Sequence, residues 1–201
     1  MTSFEHLLSV PDLKGEVEGY GRELRVRLQL PPIAQLGFVV GSLETVSPLL
    51  ERHGIPDMYV LEGSPVFWKE GGADHKVTGR IGLTAHGGFE LEFIEPARGT
   101  GFYAAPDADD GAVLHHLGLR CREIDEQVRS FSTHGMGCLV RGKLAMGPLE
   151  ADFAYMDTVG SAGVILEFIE WKLFGRGFVP GPDHWRRETF DRIFGRQKGN
   201  T

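Results

Sequence analysis

A chain of 201 residues, 41% hydrophobic and 24% charged, has the make-up of one ordinary globular domain or two small packed units, which excludes a disordered or fibrous protein. Its 21 Lys and Arg against 28 Asp and Glu leave a formal charge of -7, so no overall basic field draws it to nucleic acid or acidic lipid, and no apolar run approaches the ~20 residues of a membrane helix. Glycine, with 28 residues, stands at roughly twice its usual share without a Gly-X-Y period, which points to many turns and therefore many short strands. The start MTSFEHLLSVPDLKGE lacks the basic and apolar stretches of a signal peptide, and Cys121 and Cys138 are too few for a disulfide framework. A soluble, cytoplasmic protein acting on a small molecule is the expectation, with no nucleic-acid or membrane partner.

Residues 1–32 form the first flank. Its first 22 residues read as a loose arm or a partner-binding element. Leu24, Val26, Leu28 and Leu30 then alternate with Arg25, Arg27 and Gln29, predicting a half-buried strand stopped by Pro31-Pro32. Residues 33–98 open with the apolar run IAQLGFVV, followed by helical spacing from Leu43 to His53 that ends at Gly54. Short strands are predicted at Met58–Leu61, Val66–Lys69, Val77–Leu83 and Phe89–Glu95. After a linker at 99–112, residues 113–172 repeat the plan. VLHHLGLRC is a strand, Ile124–His134 a helix ending at Gly135, and strands follow at Cys138–Val140, Phe153–Met156 and Val164–Glu170. Residues 173–201 form an extension whose helix starts at an Asp183 N-cap and runs through Phe194. Both flanks read as packing or dimer extensions, so a homodimer is expected.

The two central segments are copies of one unit. AQLGFVVGSL (34–43) and HHLGLRCREI (115–124) share a polar–Leu–Gly–apolar frame at a shift of 81 residues, and His53-Gly54 meets His134-Gly135 at the same shift. Leu91–Glu95 and Leu166–Glu170 are the identical pentapeptide LEFIE, now at a shift of 75, so the second copy has lost a net six residues in its middle. Each copy reads strand–helix–strand–strand–strand.

Four polar residues occupy equivalent places: Gln35 and His116 in the first strands, Glu92 and Glu167 in the last. Strand alternation sets the first Glu of LEFIE opposite Leu and Phe. A mid-strand carboxylate between apolar neighbours must meet solvent, a partner or a metal, because burying it unpaired is costly. If the two copies pack by pseudo-symmetry, these side chains converge, and one amide oxygen, one imidazole nitrogen and two carboxylates suit a divalent cation.

The chain thus resembles the vicinal oxygen chelate superfamily, which includes glyoxalase I, methylmalonyl-CoA epimerase, extradiol dioxygenases and bleomycin-resistance proteins. The resemblance covers about residues 33–171 and rests on GAVLHHLGLRC, on LEFIEP and ILEFIEW, and on FAYMDTVGSAGVILEF. It implies an α+β fold in which two tandem βαβββ modules form a curved, partly open barrel around a metal site. Carried over position by position, the metal ligands are Gln35, Glu92, His116 and Glu167, an order similar to one branch of glyoxalase I. The implied activity is that of a metal-dependent isomerase or lyase moving a proton on a small oxygenated substrate through a metal-stabilised enolate or enediolate, with Glu167 as base.

Alternatives remain at this level. An extradiol dioxygenase places two His and one carboxylate on iron, and Gln35 stands where one His would be expected. The oxygen-rich set instead suits Zn, Mn, Co, Ni or Mg. The epimerase relative uses a further Glu on a middle strand of the first module, and VTGRIGLTAH (77–86) offers none. A metal-free binding protein of the resistance type is the third reading. Phe67, Trp68, Arg80, Phe102, Tyr103, Met156 and Trp171 lie on segments that would border the cavity. Arg80 is the best candidate to hold a substrate carboxylate or phosphate and reads equally as a plain surface cation, while most of the aromatics read as core. His115 is expected on the face opposite His116, by alternation.

Overall fold

The computed structural model describes residues 2–104 and 111–181. Three short helices come first: α1 (Phe4–Ser9), α2 (Leu13–Gly19) and α3 (Arg22–Arg27). Ser3 and Asp12 cap the first two by accepting from the backbone amides of His6 and Gly15. The arm is part of the core. Phe4 is buried with its ring 5.0 and 5.1 Å from those of Phe38 and Phe93.

The strand expected over 24–30 is instead helix α3. Leu24 and Leu28 are also spaced i, i+4, and this second period prevails: Leu24 is buried, Leu28 packs against the core and Val26 is exposed. Arg25 turns inward, donating to the Tyr20 and Glu18 carbonyls and to the Glu18 carboxylate, and so caps the end of α2.

The first unit comprises β1 (Ile33–Val39), a 3-10 turn (Leu43–Thr45), α4 (Ser47–Arg52), β2 (Tyr59–Gly63), β3 (Phe67–Glu70), β4 (Ala73–Asp74), β5 (Gly79–His86) and β6 (Phe89–Ile94). The helix predicted over 43–53 is broken because Pro48 can only enter at a helix start. The second unit comprises β7 (Val113–Arg120), α5 (Ile124–Thr133), β8 (Cys138–Met146), β9 (Leu149–Met156), α6 (Val159–Ala162) and β10 (Ile165–Leu173), with β11 (Arg176–Gly177) after it. The helix expected from Asp183 to Phe194 lies outside the described residues.

One mixed sheet holds all strands, in the order β2-β5-β6-β1-β7-β10-β9-β8-β3-β4, with β11 added on β10. Each unit contributes four neighbouring strands in the same internal order, and the units join where β1 pairs antiparallel with β7. This is the α+β architecture of two βαβββ modules. One sheet face is covered by the helices over Leu36, Phe38, Leu91, Phe93, Leu117, Leu119, Leu166 and Phe168, and the other curls around a cavity.

The strand expected over 66–69 does form, but it belongs to neither module's own set of four. As β3 it pairs with β8 of the second unit and carries β4 with it. Residues 64–66 alone connect β2 at one end of the sheet order to β3 near the other. Four residue steps span at most about 14 Å, so the sheet's two ends are drawn together over the cavity. The same insertion explains the net loss of six. Leu83 and Tyr155 are equivalent, each paired with its module's Glu (Glu92, Glu167), and differ by 155 − 83 = 72. The second copy therefore loses nine residues where the first inserts β3 and β4, then regains three where α6 replaces the Gly87-Gly88 turn.

Candidate metal centre

The four predicted ligands lie in two cross-strand rows, and a glycine is the middle of each. In one row, Gly37 of β1 pairs with Glu92 of β6 on one side and His116 of β7 on the other. In the other, Gly118 of β7 pairs with Gln35 of β1 and Glu167 of β10. Gly37 and Gly118 are the repeated glycines of the polar–Leu–Gly frame, and the rows account for them. A Cβ on Gly37 would overlap the His116 ring, and one on Gly118 would come within 2.8 Å of Gln35 Cβ and Oε1. Each module's glycine thus makes room for the other module's ligand.

The three ionisable ligands are buried and close. His116 Nε2 is 3.2 Å from Glu92 Oε2 and 3.1 Å from Glu167 Oε2, and one ligand atom from each of the three residues lies within 4.8 Å of the others. Gln35 Oε1, Glu92 Oε2, His116 Nε2 and Glu167 Oε2 are all buried and make no hydrogen bond of acceptable geometry. Four inward polar atoms left so would be a heavy desolvation cost in a purely structural cluster. One nitrogen and three oxygens, two of them anionic, make a donor set that fits a divalent cation.

Neighbouring groups determine which atom each ligand presents. Gln35 donates its amide to Glu90 Oε1 at 2.6 Å, and Arg120 Nη2 holds the other Glu90 oxygen at 3.3 Å. A carboxylate can only accept, so the amide oxygen of Gln35 is the atom turned to the site. On the other module, His115 Nε2–H donates to the Phe102 carbonyl (3.3 Å), which leaves His115 Nδ1 as an acceptor 3.2 Å from His116 Nδ1. His116 Nδ1–H fills that bond, so Nε2 is the nitrogen turned to the two Glu, and it would offer its lone pair to a cation that displaces its proton. Tyr103 donates to Tyr155 at 2.8 Å, and both hydroxyls lie near enough to Glu92 and Glu167 to feel their charge.

These contacts perturb the titration of the site. Burial opposes protonation of His116, but the neighbouring Glu167 and Glu92 carboxylates outweigh it and raise its pKa to about 9. Burial and the neighbouring His116 charge lower His115 to about 3, so it is neutral. Burial also raises Glu167, partly offset by His116. Tyr103 and Tyr155 are pushed well above 10 by burial and then by the Glu92 and Glu167 carboxylates, so both remain protonated donors.

His115 lies beside His116, not on the face opposite it. Registers jump from Gly37↔His116 to Phe38↔Leu114, so His115 is the extra residue of a β-bulge; Ala34, at its equivalent place, is skipped in the same way. Strand alternation alone could not show this. Glu90 was legible in principle, two residues before Glu92 and on the same face, and Tyr155 shares the phase of Phe153.

A cavity of about 210 Å³ extends from Gln35, Glu92 and Glu167 to an opening at Glu62–Pro65 and Ala145–Gly147. Of the residues expected to border it, Trp68, Arg80, Tyr103 and Trp171 do. Met156 does not: alternation sets it opposite Tyr155, in the helix-side core. Phe67 does not either, because it is opposite Trp68, with its ring partly exposed under the Arg141 guanidinium (5.6 Å). Phe102 packs behind the site against His115 and Tyr155.

The chain is a member of the Glyoxalase/Bleomycin resistance protein/Dioxygenase superfamily, whose family model matches residues 34–155. This is the vicinal oxygen chelate class. Solved structures similar to it include a methylmalonyl-CoA epimerase variant from Streptomyces coelicolor in complex with 2-nitronate-propionyl-CoA, at 15% identity over 70% of this chain and 94% of that one, TM-score 0.48. Others are the methylmalonyl-CoA epimerase of Mycobacterium tuberculosis (12%, 68% and 85%, 0.46) and a hypothetical protein from Bacillus halodurans C-125 (19%, 68% and 91%, 0.44). No curated protein matches the chain. Among the described residues, no helix is long and apolar enough to cross a membrane.

Proposed function

We propose that this protein is a metal-dependent isomerase or lyase that moves a proton on a small oxygenated substrate. The observation that carries the reading is the set of four buried, unsatisfied polar atoms supplied two by each module, Gln35 Oε1 and Glu92 Oε2 from the first and His116 Nε2 and Glu167 Oε2 from the second. A divalent cation held by these residues would supply positive charge to stabilise the negative charge that develops on substrate oxygen as a neighbouring carbon loses its proton.

The chain's own groups do the rest. Glu167 borders the cavity, so its carboxylate is the group placed to take the substrate proton. Tyr155, beside that carboxylate and protonated throughout the physiological range, does not compete for the proton. Glu90 and His115 hold Gln35 and His116 in the required orientation. The apolar wall of Leu61, Leu83, Ile169 and Trp171 excludes water from the transfer.

Metal analysis of the purified chain tests this reading. One equivalent of Zn, Mn, Co, Ni or Mg is expected, with deuterium exchange from heavy water into an α-hydroxyketone probe that Glu167→Gln abolishes. Iron accompanied by catechol cleavage would make it a dioxygenase, and failure to take up any divalent metal would favour a binding protein.

A further inference from the structure

We infer that the ligand of this cavity is an uncharged carbonyl compound with an apolar or aromatic body, and that Arg80 closes the mouth as part of an acidic cluster and does not bind an anion. The inference rests on the proposed metal-assisted reading of the site and adds the class of molecule it accepts.

Arg80 is the one Lys or Arg among the described residues that lines the cavity, and both of its terminal nitrogens are hydrogen-bonded to carboxylates. Nη1 is 2.9 Å from Glu95 Oε1, Nη2 is 2.9 Å from Glu44 Oε1, and Nε is 3.9 Å from Glu62 Oε2. Glu95 Oε1 also accepts from the backbone amide of Leu43, so the cluster ties β5 and β6 to the 3-10 turn. Three carboxylates against one guanidinium leave the cluster around Arg80 with a formal excess of negative charge, Glu62 on the cavity lining and Glu44 and Glu95 behind it. An incoming phosphate or carboxylate would have to displace a carboxylate from Arg80 and sit among the others.

The inner end offers an anion nothing in exchange. Glu92 and Glu167 already cancel the charge of a divalent cation, while Gln35 and a metal-bound His116 add none. Between the two ends the walls are apolar. Leu61, Ile81, Leu83, Ile169 and Trp171 form one side, and Trp68 and Phe153 contribute to the other. A charged group lodged there would give up hydration with no partner, whereas an aromatic or alkyl body gains by leaving water.

Calorimetry on the full chain, first titrated with Mn(II) and then with matched probes, tests this. The probes are 2-hydroxy-1-phenylethanone and its 4-sulfonate. The neutral probe is expected to bind at least tenfold more tightly. In the variant Glu44→Gln, at an exposed side chain outside the cavity lining, sulfonate binding is expected to strengthen severalfold as Arg80 Nη2 is released, with neutral binding unchanged. Equal or tighter binding of the sulfonate to the unaltered protein, or binding of neither probe, overturns the inference. The same pair is measured without Mn(II). A chain that takes up no metal yet prefers the neutral probe loses the metal reading and retains this one.

Discussion

At the residue scale, the site depends on pairs in which a second side chain decides what the first can offer. His116 can present Nε2 only while Nδ1–H is occupied by His115, and His115 can accept only because its own Nε2–H is spent on the Phe102 carbonyl. Replacing His115 by Ala is therefore expected to weaken Mn(II) or Zn(II) binding about 10- to 100-fold, read by calorimetry, as loss of such an orienting partner typically does. Gly37→Ala forces a methyl into the His116 ring and is expected to cost about 1–3 kcal/mol in a denaturant titration as well as metal affinity. The metal-free protein also has a pH signature. His116 has its folded-state pKa raised from 6.5 to about 9, so its contribution to stability is complete below the unfolded value and lost as pH rises through the folded one. Melting temperature should thus fall between about pH 6.5 and 9. His116→Asn should flatten that slope, and an unchanged slope would show that the imidazolium is not the cause.

At the scale of elements, the chain contains segments whose local pattern fits two structures. Leu24, Val26, Leu28 and Leu30 satisfy a period of two, yet Leu24 and Leu28 also satisfy a helical spacing, and the packing decides for the helix because Arg25 finds three acceptors at the end of α2. A strand there would leave that inward guanidinium without them. The N-terminal arm is tied down by Phe4, Leu7, Val17 and Leu24, all buried in the main core. Phe4 fits edge-on against Phe38 and Phe93, so Phe4→Ala should cost about 3–5 kcal/mol by denaturant midpoint. A cost under 1 kcal/mol would mean the arm is only loosely docked.

At the scale of the whole molecule, each module brings two ligands, and the rows that hold them cross the β1–β7 seam. A cation bound there clamps both units at once. At a free concentration about 100 times its dissociation constant, Mn(II) should therefore stabilise the whole fold by about 2.7 kcal/mol. The same addition to a Glu92→Gln/Glu167→Gln variant should give little or none. A single cooperative melt, shifted as one, is expected, because the β3–β4 hairpin of the first unit is also laced onto β8 of the second.

The sequence by itself determined the duplicated unit, the order of its elements and the four equivalent polar positions proposed as ligands. These are recorded in local periodicity and in spacings that survive from one copy to the other. It also carried the two glycines of the polar–Leu–Gly frame, though not the reason for them. Only the tertiary structure decided that each glycine makes room for the opposite module's ligand, that bulges at Ala34 and His115 break the alternation, and that Arg80 is occupied by carboxylates from three other segments. Those facts depend on which strands meet and in what register, and the partners are tens of residues apart in the chain. Local pattern tells which way a side chain leans from its own strand; what it meets there is a property of the assembled sheet.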